Sequence, residues 1–119
     1  MGNFQDLKVW LRARNLAVKI YKITNKEPIS KDFGFRDQIR RSAISIASNI
    51  AEGDELDTDK QAIRHFYIAK GSVAELYTQI LIAGDIDYLK KGDLDDLVDD
   101  CEAISAMLFK LIGSRKTNI

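Results

Sequence analysis

The chain of 119 residues carries 18 basic and 18 acidic side chains, so its net charge is zero, and it has one cysteine and one histidine. A single domain of this length buries roughly two thirds of its unfolded surface, and a lone Cys101 excludes an internal disulfide framework and fits a reducing compartment. No apolar run approaches the ~20 residues of a membrane helix, and the opening MGNFQDLKVW lacks a signal pattern and places Asp6 where myristoylation needs Ser or Thr, so a cytoplasmic protein with no membrane partner is expected.

The zero is an average of two unlike halves. Residues 1–50 hold ten Lys and Arg against four acids, a net +6, while residues 51–119 hold eight against fourteen, a net −6. Such a chain either pairs its halves or offers a basic surface to something acidic.

The pattern reads as one domain, residues 1–119, of four helices. The first is expected from about Asp6 to Thr24, with Val9, Leu16, Ile20 and Ile23 as its inner stripe and Trp10, Ala13 and Ala17 beside it. Its opposite face is a column of Lys8, Arg12, Asn15, Lys19, Lys22 and Lys26, without the acid partners four residues away that usually balance a surface helix. Asn25 to Asp32 is a loop containing the chain's one proline, Pro28, and Ser30 or Asp32 caps the helix that follows.

The second helix, Gly34 to Gly53, carries two seams. Phe35, Ile39, Ala43, Ile46 and Ile50 form the apolar one, and Gln38, Ser42, Ser45, Asn49 and Glu52 a small and polar one alongside. Arg36, Arg40 and Arg41 stand near its start, with Asp37 placed to pair with Arg41, and Gly53 is expected to terminate it.

Thr58 and Gln61 make a capping box for the third helix. Its seven positions Ala62, Phe66, Ala69, Val73, Leu76, Ile80 and Ala83 keep the four-three spacing of bundle packing. Ile68, Ser72, Glu75, Gln79 and Ile82 run beside them, and Gly71 with Ser72 is expected to admit a close helix. Gly84 and the segment Asp85–Gly92 form the third connection. Asp93 is expected to cap the fourth helix, whose stripe is Leu94, Leu97, Cys101, Ile104, Leu108 and Leu111. Asp95, Asp99 and Glu102 make an acidic column on another face, Gly113 ends the helix, and the last residues fray.

Chemistry-bearing patterns are few. His65 has neither cysteines nor a second histidine at metal-ligand spacing. No glycine-rich phosphate loop appears, and Ser45, Ser48 and Asn49 have no general base beside them. No catalytic, cofactor or metal site is expected. Within its helical stripe Cys101 reads as a small buried hydrophobe.

The segments QIRRSAISI (Gln38–Ile46) and NIAEG (Asn49–Gly53) resemble the 23S rRNA intervening-sequence protein family of four-helix-bundle proteins. FQDLKVW (Phe4–Trp10) and FYIAKGSVAEL (Phe66–Leu76) are similar to that family's opening and third-helix signatures. Where the family often has proline, this chain has Ala47, so a more regular second helix is expected. The resemblance implies an antiparallel up-down-up-down bundle of bacterial origin that assembles into a homo-oligomeric ring, a pentamer. It also implies likeness to a bundle that works with nucleic acid and a reverse transcriptase in diversity-generating retroelements. It carries over no catalytic residue.

Two function classes follow. In one, the protein binds RNA or a nucleic-acid-associated protein through Lys8, Arg12, Lys19, Lys22 and Lys26, with Arg36, Arg40 and Arg41 as a second patch. In the other it is an assembly scaffold whose basic column meets the acids Asp95, Asp99 and Glu102 of a neighbouring copy. The seam of Gln38, Ser42, Ser45, Asn49, Glu52, Ser72 and Glu75 is either a polar layer inside the bundle or a contact between bundles.

Overall fold

The computed structural model describes residues 2–118. Four helices account for the fold: α1 (Lys8–Ile23), α2 (Phe33–Glu55), α3 (Asp59–Asp85) and α4 (Lys91–Lys116). Short 3-10 turns at Phe4–Asp6 and Ile29–Lys31 lead into α1 and α2, and no strand occurs among the described residues. Contacts run α1–α2, α2–α3, α3–α4 and α4–α1, which closes a four-cornered bundle about 46 Å long. The connections are short, so successive helices are antiparallel.

All seven four-three positions of α3 are buried, from Ala62 to Ala83. They meet Val9, Ala13, Leu16 and Ile20 of α1, Ile39, Ala43, Ile46 and Ile50 of α2, and Leu97, Cys101, Ile104 and Leu108 of α4. Ala13 lies inside the α1 stripe, whereas Ile23 at its end is half-buried. In α4 the last buried position is Ile112, and Leu111 is half-buried, because the stripe drifts around the helix over 26 residues.

Helix ends depart from expectation at Gly53, Gly84 and Gly113. Gly53 does not terminate α2, which continues to Glu55 with no glycine at positive φ. It sits where α3 crosses closely, and a Cβ there would lie 2.7 Å from Phe66 Cε1 and 3.1 Å from the Ala62 carbonyl oxygen. Gly84 lies within α3 against Leu94, and Gly113 lies inside α4. Gly71 faces open space, so it admits no close helix. Helix four begins at Lys91 after Lys90, and Asp93 therefore occupies its first turn instead of capping it.

Other ends form as expected. Asp32 accepts the Phe35 N–H at 3.2 Å and caps α2, while its second oxygen accepts the Tyr88 hydroxyl at 2.8 Å. Thr58 accepts the Gln61 N–H, although the Gln61 side chain meets the Thr58 hydroxyl and not its backbone. Helix α2 runs unbroken through Ala47.

Candidate functional site

The basic column of α1 is partly consumed within the chain. Arg12 lies 3.1 Å from one oxygen of Asp100, and Lys19 lies 2.8 Å from the other and 3.0 Å from Asp96. The Asp100 side chain is 9% exposed, so α4 supplies a buried anion gripped from two turns of α1. The column is thus not uncompensated. Its partners within the chain are Asp96 and Asp100; Asp95, Asp99 and Glu102, the acids expected to serve a neighbouring copy, are exposed on α4. The hydrogen bonds that Lys19 donates to Asp100, first, and to Asp96 raise its pKa above its ordinary value.

The arginine group divides too. Arg40 donates to the Thr24 hydroxyl at 2.8 Å and to Asn25 Oδ1 at 2.9 Å, and its guanidinium lies 4.6 Å from the Tyr21 ring centroid. It is a clamp on the C-terminus of α1. Arg36 binds the adjacent Asp37 at 3.0 Å, so the expected Asp37–Arg41 pair does not form. Lys8, Lys22, Lys26 and Arg41 are exposed, and none has a carboxylate at ion-pair distance among the described residues. Arg14, outside the expected column, joins them and stands over Trp10 at 5.7 Å.

The small-polar seam of α2 faces α3 in the same chain. Ser42 is buried, with its hydroxyl 2.5 Å from Glu75 Oε1, and Ser45 and Ser72 are 2.9 Å apart. Asn49 donates to the Ser45 carbonyl at 2.9 Å, which turns its Oδ1 toward His65 Nδ1 at 3.2 Å. Glu52 Oε2 approaches the same nitrogen at 3.3 Å. Both neighbours of Nδ1 are acceptors, so Nδ1 carries the ring proton. His65 extends the seam, and its spacing marks it, since it precedes Ile68 by three and Ser72 by seven. Gln38 remains exposed at the seam's edge.

Two apolar grooves lie on opposite sides of the bundle. One, of about 460 Å³, runs between α1 and α2, lined by Ala17, Val18, Tyr21 and Ile44 with Arg14 and Lys22 at its rim. The other, of about 660 Å³, runs between α3 and α4 over Ala74, Tyr77, Ser105, Ala106 and Phe109. Phe109 is 68% exposed, and Val18 and Ile44 are 46% and 43% exposed.

Cys101 lies beneath the second groove, and burial, then Asp100 and Glu102, pushes its thiol up from 9.0 to about 12. Among the described residues, no three metal-ligating side chains cluster, and no helix is long and apolar enough to cross a membrane.

The Cys101 and Lys19 shifts predict alkaline lability. The unfolded chain releases the Cys101 proton near 9.0 and the folded chain near 12, so stability falls as pH rises through that window. Lys19 acts in the same direction, because its contribution is complete below 10.5 and is lost as pH passes its raised folded value. Urea midpoints measured from neutral to alkaline pH should fall, and Cys101→Ala should flatten the first part of that fall. An unchanged slope in Cys101→Ala would contradict the assignment.

No curated protein matches the chain. The fold is similar to the crystal structure of a protein of unknown function from the S23 ribosomal protein family of Bacteroides thetaiotaomicron VPI-5482. The two share 25% identity over 87% of this chain and 97% of that one, with a TM-score of 0.81. The family model for the 23S rRNA-intervening sequence protein matches residues 5–110, from the opening signature through most of α4, and the chain belongs to that family.

Proposed function

We propose that the protein is a self-assembling, non-catalytic interaction module of the cytoplasm, a homo-oligomer whose subunits meet through their exposed helix faces. The observation that supports this reading is the apolar surface on two opposite sides, with Val18, Tyr21 and Ile44 on one and Phe109 on the other. Contiguous apolar surface of this kind marks interaction sites on soluble domains. The groups best suited to chemistry are otherwise occupied: His65 Nδ1 is held by Asn49 and Glu52, and Cys101 is buried as a neutral thiol. Light scattering should give a multiple of the 13.5 kDa chain mass, five being the number the family resemblance implies. A 13.5 kDa species at every concentration would overturn the reading.

A second reading, RNA or polyanion binding, draws on the exposed cations Lys8, Arg14, Lys22, Lys26 and Arg41. Arg12, Lys19, Arg36 and Arg40 contribute less to it, since each already holds a partner in the chain. Each phosphate contact should add about 0.7–0.9 to the slope of log affinity against log salt. Filter binding with Lys22→Glu/Lys26→Glu tests this without disturbing Asp100. Loss of binding in a variant that remains assembled supports the reading, and unchanged binding, or none at low salt in the parent protein, removes it.

A further inference from the structure

We propose that the α1/α2 groove seats an acidic amphipathic helix of a different polypeptide, which lies along the bundle as a fifth helix. Each wall of the groove carries a second seam besides the one that faces the core. On α1 it is Leu11, Arg14, Val18 and Tyr21, spaced three, four and three. On α2 it is Arg41, Ile44, Ser48 and Ala51, with the same spacing. Leu11, Val18, Tyr21 and Ile44 are exposed, although each is large and apolar. Ala17 and Ala47 line the groove between the two seams. Helices pack by setting side chains at this spacing into the gaps of a neighbour, and small residues beneath let the neighbour approach closely.

Charge sets the chemistry of the occupant. Arg14 and Lys22 line the groove a little over two turns, or about 12 Å, apart along α1. Neither has a carboxylate at ion-pair distance among the described residues. No acid lines the groove among those residues, because α1 has none from Lys8 to Ile23 and α2 none from Gln38 to Ala51. The nearest acids on α2 are engaged elsewhere. Asp37 lines the adjoining depression with Arg40 and Arg41 and binds Arg36 at 3.0 Å, and Glu52 approaches His65 of α3. A helix whose apolar seam is flanked by carboxylates therefore meets both cations whichever way it runs, and one flanked by lysines meets repulsion at both. The α3/α4 groove has no such bias, since Glu102 lines it together with Lys70 and Lys110.

The apolar floor separates this occupant from a nucleic acid. Phosphates would use Arg14 and Lys22 but gain nothing from covering Val18 and Ile44, whereas an amphipathic helix uses both features. The assignment holds for a monomer and an oligomer alike, since it leaves the α3/α4 side for contacts between copies.

The probe is a fluorescein-labelled synthetic peptide of about three heptads, with Leu at the two seam positions and Glu on either side. Its counterpart has Lys in place of Glu. Fluorescence anisotropy should show the acidic peptide binding the parent protein, more weakly as salt rises, and the basic peptide not binding. Val18→Arg/Ile44→Arg, at exposed positions, should keep the parent helicity by circular dichroism and weaken binding about tenfold or more. Ala106→Arg/Phe109→Arg, on the opposite side, should leave binding unchanged. Arg14→Glu/Lys22→Glu should reverse the preference, taking the basic peptide and releasing the acidic one. Equal binding of both peptides by the parent, no binding of either, or undiminished binding by Val18→Arg/Ile44→Arg would overturn the proposal. Single-stranded RNA that displaces the peptide and binds Val18→Arg/Ile44→Arg more tightly than the parent would give the groove to a polyanion instead. An oligomeric parent that Val18→Arg/Ile44→Arg reduces to 13.5 kDa in sedimentation would give it to a second copy of the chain, whereas a monomeric parent that binds the acidic peptide defeats only the assembly reading.

Discussion

Asp100→Ala is expected to lower the unfolding free energy by roughly 2–4 kcal/mol, the scale of removing one partner from a buried charge cluster. The buried carboxylate receives Arg12 on one oxygen and Lys19 on the other, and it joins α1 to α4, the least extensive of the four helix contacts. Arg12 and Lys19 side chains are 42% and 41% exposed, so water takes over part of what they lose, which holds the effect below the cost of stranding fully buried charges. The reverse truncations behave differently. Arg12→Ala or Lys19→Ala leaves Asp100 with one cation, and the double variant should cost more than the sum, because only then is a buried carboxylate left alone. Asp99→Ala, one residue away and exposed, should stay within about 0.5 kcal/mol of the parent. Urea denaturation of these five proteins measures the set, and equal midpoints for Asp99→Ala and Asp100→Ala would refute the account.

The apolar core was legible because helical periodicity is a local property. Every α3 position from Ala62 to Ala83 at four-three spacing is buried, and Leu97, Cys101, Ile104 and Leu108 of α4 join them. Asp100 was not legible in the same way. It stands among five aspartates within eight residues, Asp93, Asp95, Asp96, Asp99 and Asp100, and composition makes them look alike. Successive residues differ by about 100° around a helix, and that rotation turns Asp99 to solvent and Asp100 to α1. Its position three after Leu97 and four before Ile104 was the available signal. The ion pairs with Arg12 and Lys19 needed a further fact, which helix lies beside α4, and no local pattern supplies it.

Glycines misled for a related reason. Glycine is favoured just past a helix end because it reaches positive φ without penalty, yet no described glycine here has positive φ. Asp87 takes that conformation after α3 instead, at φ 63°. A glycine can equally mark a point where another helix comes close, and sequence does not separate the two uses.

Gly53→Ala and Gly71→Ala are therefore expected to move stability in opposite directions, although both place the same methyl group within a helix, Gly53 in the last turn of α2 and Gly71 in the middle of α3. Alanine exceeds glycine in helix propensity by about 1 kcal/mol. At Gly71 nothing lies within 4 Å of the new Cβ, so that gain should appear nearly whole as a higher melting temperature. At Gly53 the methyl would sit 2.7 Å from Phe66 Cε1 and 3.1 Å from the backbone oxygen of Ala62. Phe66 is fully buried and cannot swing aside, so α2 and α3 must separate. Overpacking of this kind costs about 1–3 kcal/mol, which offsets the propensity gain of about 1 kcal/mol and leaves a net loss of up to about 2 kcal/mol. A smaller side chain at position 66 should relieve it. In a double-mutant cycle, Gly53→Ala on a Phe66→Leu background should cost less than on the parent. Equal cost on both backgrounds, or a stabilising Gly53→Ala, would show that the close approach of α2 to α3 is not set by this glycine.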